Sequence, residues 1–454
     1  LLFIAVSLFP NFYSHKCGTD YAHKHREIKD DKSNFHIEES NRDGRRFLQN
    51  NFSKIRIAVD YSNINNYSEV SNTWKSNVKK IVDYTMQLFT EIIKVRPLSS
   101  PIKLTKCDVG ADFDIDESVG TDGVEADLLL FVVVDAILSE TTNVEGWAAY
   151  CKLDNVTHRP VAGVIGLSTT ALDFEMKNWL EYYTYLIFHE TIHVLGLNQS
   201  LFDEMYDESK DAFYPLSDIL LEEVDINGVE RKLIKSPKVL EAAKAHFNCN
   251  NIKGVEVENQ GGQGSSISHW ESRVMLSDIM IAISYEELYL SEITCAFLED
   301  TGWYKVNCYS GGLFKFGKNE GCDFLDEKCL SNDAKTKFSN EFCDTNRKGL
   351  CMSGNKNKGV CIISTFSGAM GQEIANEDDY QYFESTSRGG FYFADYCPVT
   401  SSLSSANYFF PGSCSIGDPS LAKTQMKESL SSTSGCFLSS LVENSYNVSY
   451  NTNI

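Results

Sequence analysis

The 454-residue chain is poor in basic charge: 41 Lys and Arg stand against 63 Asp and Glu, a net −22 at neutral pH. A nucleic-acid partner is therefore not expected, because counterion release from a phosphate backbone needs clustered Lys and Arg. None of the fourteen cysteines forms a C-x2-C pair, which removes the zinc-ribbon class. No run of 18 apolar residues occurs and Tyr446 to Ile454 is polar, so no membrane-spanning helix is expected. A convincing internal repeat is also missing. Global disorder is not, however, the consequence of these shortages. Hydrophobic content of 42% with 23% charged residues is that of a globular protein. The length exceeds what one core supports, so two or three domains are expected.

What is present points to an oxidising compartment. Eleven of the cysteines lie between Cys249 and Cys436, a density that suits disulfides. Sequons at Asn51, Asn66, Asn155, Asn198 and Asn447 agree with a secreted or cell-surface chain. Leu1 to Phe9 reads as the surviving half of a signal-peptide apolar region, and the polar stretch 10–53 as a pro-segment. Without Cys17 an odd thirteen cysteines remain, so one thiol is free or its partner lies beyond Ile454. Strands are expected over Ile55–Val59, Leu128–Val134 and Val161–Leu167, with Glu125 and Asp127 at the entrance of the second. A helix is expected over about Phe174 to Leu195, ended by a left-handed Gly196.

On that helix His189-Glu190-Thr191-Ile192-His193 forms an H-E-x-x-H motif. Two imidazoles at i and i+4 lie one helical turn apart and reach the same Zn²⁺, and the Glu beside them takes a proton from bound water. The histidines continue the apolar stripe of Trp179, Tyr182 and Leu186, so they face inward and need a partner. A catalytic zinc takes three protein ligands and leaves a fourth position open. Extension to Gly196 is the metzincin beginning, but the compact metzincin pattern would put its third His at 199, which is Gln199. The third ligand then comes from elsewhere. It is His269, followed eleven residues later by Met280 as a Met-turn requires, or a carboxylate of the intervening segment such as Glu208 or Glu222.

With His269 and Met280 so spaced, the chain resembles the leishmanolysin family of metzincin peptidases, which carry a long insertion between the second and third zinc histidines. Further similar stretches are Trp147-Ala148-Ala149-Tyr150-Cys151, Arg159-Pro160-Val161-Ala162-Gly163, His246-Phe247-Asn248-Cys249, Glu299-Asp300-Thr301-Gly302-Trp303-Tyr304 and Gly321-Cys322-Asp323-Phe324. The resemblance implies an α+β, metzincin-like zincin catalytic domain with a long insertion, followed by a disulfide-rich C-terminal domain. The implied layout is 54–199 for the N-terminal catalytic subdomain, 200–307 for a central subdomain and 308–454 for the Cys-rich part. It implies one catalytic Zn²⁺ on His189, His193 and His269, Glu190 as acid/base and Met280 as the Met-turn residue, with His246 a framework position. Protein or peptide substrates follow, as does cell adhesion, with membrane association only through an anchor not visible in this chain. The family is made as a zymogen, and Cys17 is the candidate thiolate for the zinc, although Gly18-Thr19 departs from the family's segment. The alternative is a silent binding or adhesion protein on a protease scaffold.

Overall fold

The structure, a computed structural model, describes residues 51–437 apart from 108, 110–112, 136–143, 225–229, 261–264, 309–313, 369–370, 372–379, 403–406 and 422–427. The expected signal-peptide remnant, Cys17, most of the pro-segment, Gly261 to Gly264 and Asn447 lie outside the described residues.

Leu128–Val134 (β2) is a continuous apolar run, which suits a strand covered on both faces. Its neighbours are β1 (Ile57–Asp60) and β4 (Pro160–Leu167), both parallel to it, and β3 (Gly146–Leu153) completes the sheet antiparallel to β4. The order β1-β2-β4-β3 leaves β3 at an edge. Strand alternation sorts β2 between two cores. Leu128, Leu130 and Val132 enter the larger core, while Leu129, Phe131 and Val133 enter a second one with Trp147 and Val164. At the mouth of β2 the buried Asp127 carboxylate takes both Nε and Nη2 of Arg56 at 2.9 Å and the Leu98 N–H at 2.8 Å.

Two helices cover the larger face. Ser71 caps α1 (Asn72–Ile92) by accepting the Trp74 N–H, and Trp74, Val78, Ile81, Val82 and Phe89 form its buried stripe. That stripe meets α2 (Trp179–Leu195), where Phe89 stacks on Phe188 at 4.1 Å between centroids. Position 163 of β4 must be Gly for α2 to lie as it does, since a Cβ there would stand 2.4 Å from Val194 Cγ1.

The helix differs from expectation in two respects. It begins at Trp179 instead of Phe174, because Lys177 pairs with the C-terminal segment and Asn178 turns left-handed at φ +68°. Lys177 N donates to Asn407 O at 2.8 Å and Phe409 N to Lys177 O at 3.2 Å, which removes both groups from helical use. Burial also extends all round the axis of its second half: every residue from Leu186 to Leu195 is buried, where a one-sided stripe was expected. Gly196 does end the helix with positive φ, but at φ +158° and ψ −21°, outside the ordinary left-handed helical basin.

Beyond α2 the chain builds a three-stranded antiparallel sheet of β5 (Leu220–Val224), β6 (Glu230–Ile234) and β7 (Val255–Glu256). Helix α3 (Pro237–Phe247) and helix α4 (Glu292–Asp300) pack together beside it. A last small sheet joins β8 (Gly349–Cys351), β9 (Lys358–Cys361) and β10 (Thr400–Ser402). Six disulfides connect these parts: Cys107–Cys151, Cys249–Cys322, Cys295–Cys308, Cys329–Cys397, Cys343–Cys361 and Cys351–Cys436. Among the described residues Cys414 is free and buried, which accounts for the odd count. Among the same residues no helix is long and apolar enough to cross a membrane.

Candidate metal centre

His189 and His193 project from one side of α2, and both are buried. His269 reaches them from a separate segment 76 residues beyond His193. The three Nε2 atoms form a triangle with sides of 3.0, 3.1 and 3.1 Å. Each ring's other nitrogen faces a backbone carbonyl: His189 Nδ1 donates to Ile279 O at 2.7 Å, His193 Nδ1 to Leu197 O at 2.7 Å and His269 Nδ1 to Ser265 O at 2.9 Å. A carbonyl can only accept, so all three Nδ1 atoms carry hydrogen, which leaves the three converging Nε2 atoms as the positions that can offer lone pairs to a cation. Three acceptors at this separation repel one another unless a cation lies among them. The triangle is close to the edge of about 3.3 Å that bonds of roughly 2.0–2.1 Å give around tetrahedral zinc. The donor set and its carbonyl partners thus fit a zinc ion.

Local structure explains each placement. Gly196 lets the chain reverse, so that Leu197 O returns to His193 one turn back. His269 follows a turn in which Ile267 adopts φ +70°, a strained conformation for a β-branched residue. Met280 is fully buried and joins this segment through its carbonyl, which accepts the Trp270 N–H at 2.9 Å. The turn leading to it is held by Asp278, whose Oδ1 accepts the Met280 N–H at 2.7 Å and whose Oδ2 accepts from Thr294 at 2.8 Å. Burial pushes the Asp278 carboxyl up to about 6 against those hydrogen bonds. Glu190 follows His189 on α2 and is fully buried.

The other sequence candidates are engaged elsewhere. Glu222 is exposed and pairs with Lys232 at 2.7 Å, and Glu208 pairs with Arg96. Gln199 is exposed at the start of the turn after α2. His246 is stacked on Phe314, and its Nε2 donates to Phe316 O at 2.8 Å; burial holds its pKa below the ordinary value. Asn198 of its sequon is buried, with its side chain accepting the Ser200 N–H, while Gln199 and Ser200 are exposed. Sequence reasoning did not find the narrow crevice beside His189, of about 20 Å³, lined by Tyr182, Tyr185, Leu186, Ile283 and Phe410 among others. Its walls come from α2, the Met280 segment and the C-terminal part, a convergence that no local pattern signals.

The description of the leishmanolysin peptidase family matches residues 70–454. The chain belongs to the leishmanolysin family. It is 29% identical over 328 residues to the leishmanolysin of Leishmania donovani, covering 71% of this chain and 51% of that protein. To the leishmanolysin-like peptidase of Caenorhabditis elegans it is 27% identical over 322 residues, covering 60% and 48%. To that of Drosophila melanogaster it is 26% identical over 292 residues, covering 56% and 42%. The chain spans about half the length of the curated relatives it matches.

Proposed function

We propose that the chain is a zinc-dependent metalloendopeptidase with a metzincin-like site. The observation that carries this reading is the convergence of three Nε2 lone pairs, each enforced by an Nδ1–carbonyl hydrogen bond. His189, His193 and His269 hold the metal. A zinc ion bound there supplies a Lewis acid that polarises the scissile carbonyl and lowers the pKa of water to about 7. Glu190 takes the proton of the attacking water on a carboxylate oxygen and delivers it to the leaving amine. Met280 gives the histidines an apolar neighbour, and the 54–199 and 200–307 subdomains meet at the cleft. Strand β3, at the sheet edge and packed on α2, offers a backbone edge to an extended peptide.

Six disulfides support a place in an oxidising, secreted or cell-surface setting. The reading includes latency, with the Cys17 thiolate occupying the open metal position in a precursor; Cys17→Ser would then raise the activity of the full chain.

The deciding experiment compares hydrolysis of an unfolded protein by the full chain carrying Cys17→Ser, with and without Glu190→Gln. Zinc content should be equal, and Glu190→Gln should lower turnover by about 10²–10⁴-fold. Chelation should abolish the activity and zinc restore it. Equal hydrolysis by both chains removes Glu190 from the mechanism, and silence from a folded, zinc-loaded pair favours a binding role on a protease scaffold.

A further inference from the structure

The ribbon that delivers His269 also carries a buried acidic face. Glu258 N–H donates to His269 O at 2.9 Å and Glu271 N–H to Glu256 O at 3.0 Å, on either side of the Val257–Trp270 bridge. Alternation puts Val257 and Trp270 on one side of the ribbon and Glu256, Glu258, His269 and Glu271 on the other. Glu258 and Glu271 are then diagonal neighbours, within reach of each other for long side chains. Both are fully buried. Glu258 Oε1 accepts the Gln260 N–H at 2.8 Å and Glu271 Oε1 accepts the Arg273 N–H at 2.8 Å. The second oxygen of each, Oε2, is buried with no hydrogen-bond partner among the described residues.

An independent side chain reaches Asp395, the carboxylate that acts on both Glu258 and Glu271. Gln260 is 6% exposed, and its Nε2 lies 3.3 Å from Asp395 Oδ1 and 3.3 Å from Tyr380 Oη. Its Oε1 is buried without a partner among the described residues, as is Asn259 Oδ1. The nearby cations are directed elsewhere: Arg231 pairs with Glu223, Glu256 and Asp326, and the Arg273 guanidinium donates to Glu327 O. Two buried carboxylates that act on each other and on Asp395, with Arg231 and Arg273 directed elsewhere, carry a large desolvation and repulsion cost. Carboxylate and amide oxygens together, without nitrogen or sulfur, are the donor set of a hard divalent ion.

We propose that Glu258, Glu271 and Gln260 form a calcium site that ties the His269 ribbon to the Tyr380–Asp395 segment, with water completing the shell. Its ligands are distinct from the histidine triad, and it does not depend on peptidase activity. The test counts metals in the zinc-loaded full chain after equilibration with about 1 mM calcium, a concentration suited to weak extracellular-type sites. One calcium per chain beyond zinc is expected, together with a rise in Tm. Glu258→Gln and Glu271→Gln should each lower calcium content at least tenfold while zinc stays unchanged. If those variants do not fold, terbium replaces calcium on the unaltered chain: emission sensitised through Tyr380 and quenched by added calcium supports the site. No calcium bound by the native chain, calcium retained by both folded variants, or no calcium-sensitive terbium emission overturns it, and leaves a proton as what the buried pair shares.

Discussion

His189, His193 and His269 are chemically alike, and three backbone carbonyls decide how they are used. Because Ile279, Leu197 and Ser265 take the Nδ1 hydrogens, each ring presents its Nε2 to the same point. His269→Ala should therefore lower zinc content at least tenfold, while Glu222→Ala, at an exposed pair with Lys232, should leave it unchanged. Metal analysis of the purified chains checks both, and loss of zinc in Glu222→Ala would overturn the assignment of the third ligand. Asp127 provides a pH-dependent contribution of definite sign. Its burial would raise its pKa, but Arg56 and the Leu98 N–H outweigh that and hold it below the usual range. The stabilisation is thus fully present above the unfolded value of about 3.9 and is lost as pH falls through the lower folded value. Asp127→Asn should flatten this acid limb in a plot of Tm against pH. An acid limb identical to that of the parent would show that the pair contributes nothing.

At the scale of elements, the site depends on how closely α2 lies on β4. The contact at Gly163 fixes that distance, and α2 carries both histidines of the motif. Gly163→Ala must displace Val194, a stiff β-branched side chain, so a loss of about 1–3 kcal/mol is expected. Chemical denaturation measures it, and an unchanged midpoint would mean that the helix can move away without cost. The strand Leu128–Val134 and the C-terminal half of α2 were legible in the sequence, because a seven-residue apolar run and a metal-ligand spacing are local patterns. The start of α2 was not. Residues 174–178 have helical spacing, but the backbone of Lys177 is taken by residues 407–409, which lie more than 200 positions away.

For the molecule as a whole, the larger core draws on residues from Ile55 to Phe410, so the ends of the described chain stabilise the same interior. Cys249–Cys322 joins partners 73 residues apart, one after α3 and the other beside the stacked Phe247 and Phe324. Replacing both cysteines by Ser should cost about 2–5 kcal/mol, since the crosslink restricts a long loop in the unfolded chain. Thermal unfolding of the double variant tests this; an unaltered Tm would mean that the phenylalanine packing alone holds the junction.

The sequence by itself determined the chemistry available. It supplied two histidines one helical turn apart with a glutamate between them, a later histidine and methionine at a set interval, and cysteines suited to disulfides. Spacing along a helix is a local property, and the resemblance to the family extended it to His269 and Met280. Tertiary structure decided what local spacing cannot encode. It chose His269 over Glu208 and Glu222 as neighbour of the motif, paired twelve cysteines and left Cys414 free among the described residues, and aimed three rings through backbone carbonyls. It also buried Glu258 and Glu271 side by side on the third histidine's ribbon. Each of these depends on chain segments that meet only after folding, when packing fixes which groups lose water and which groups face one another.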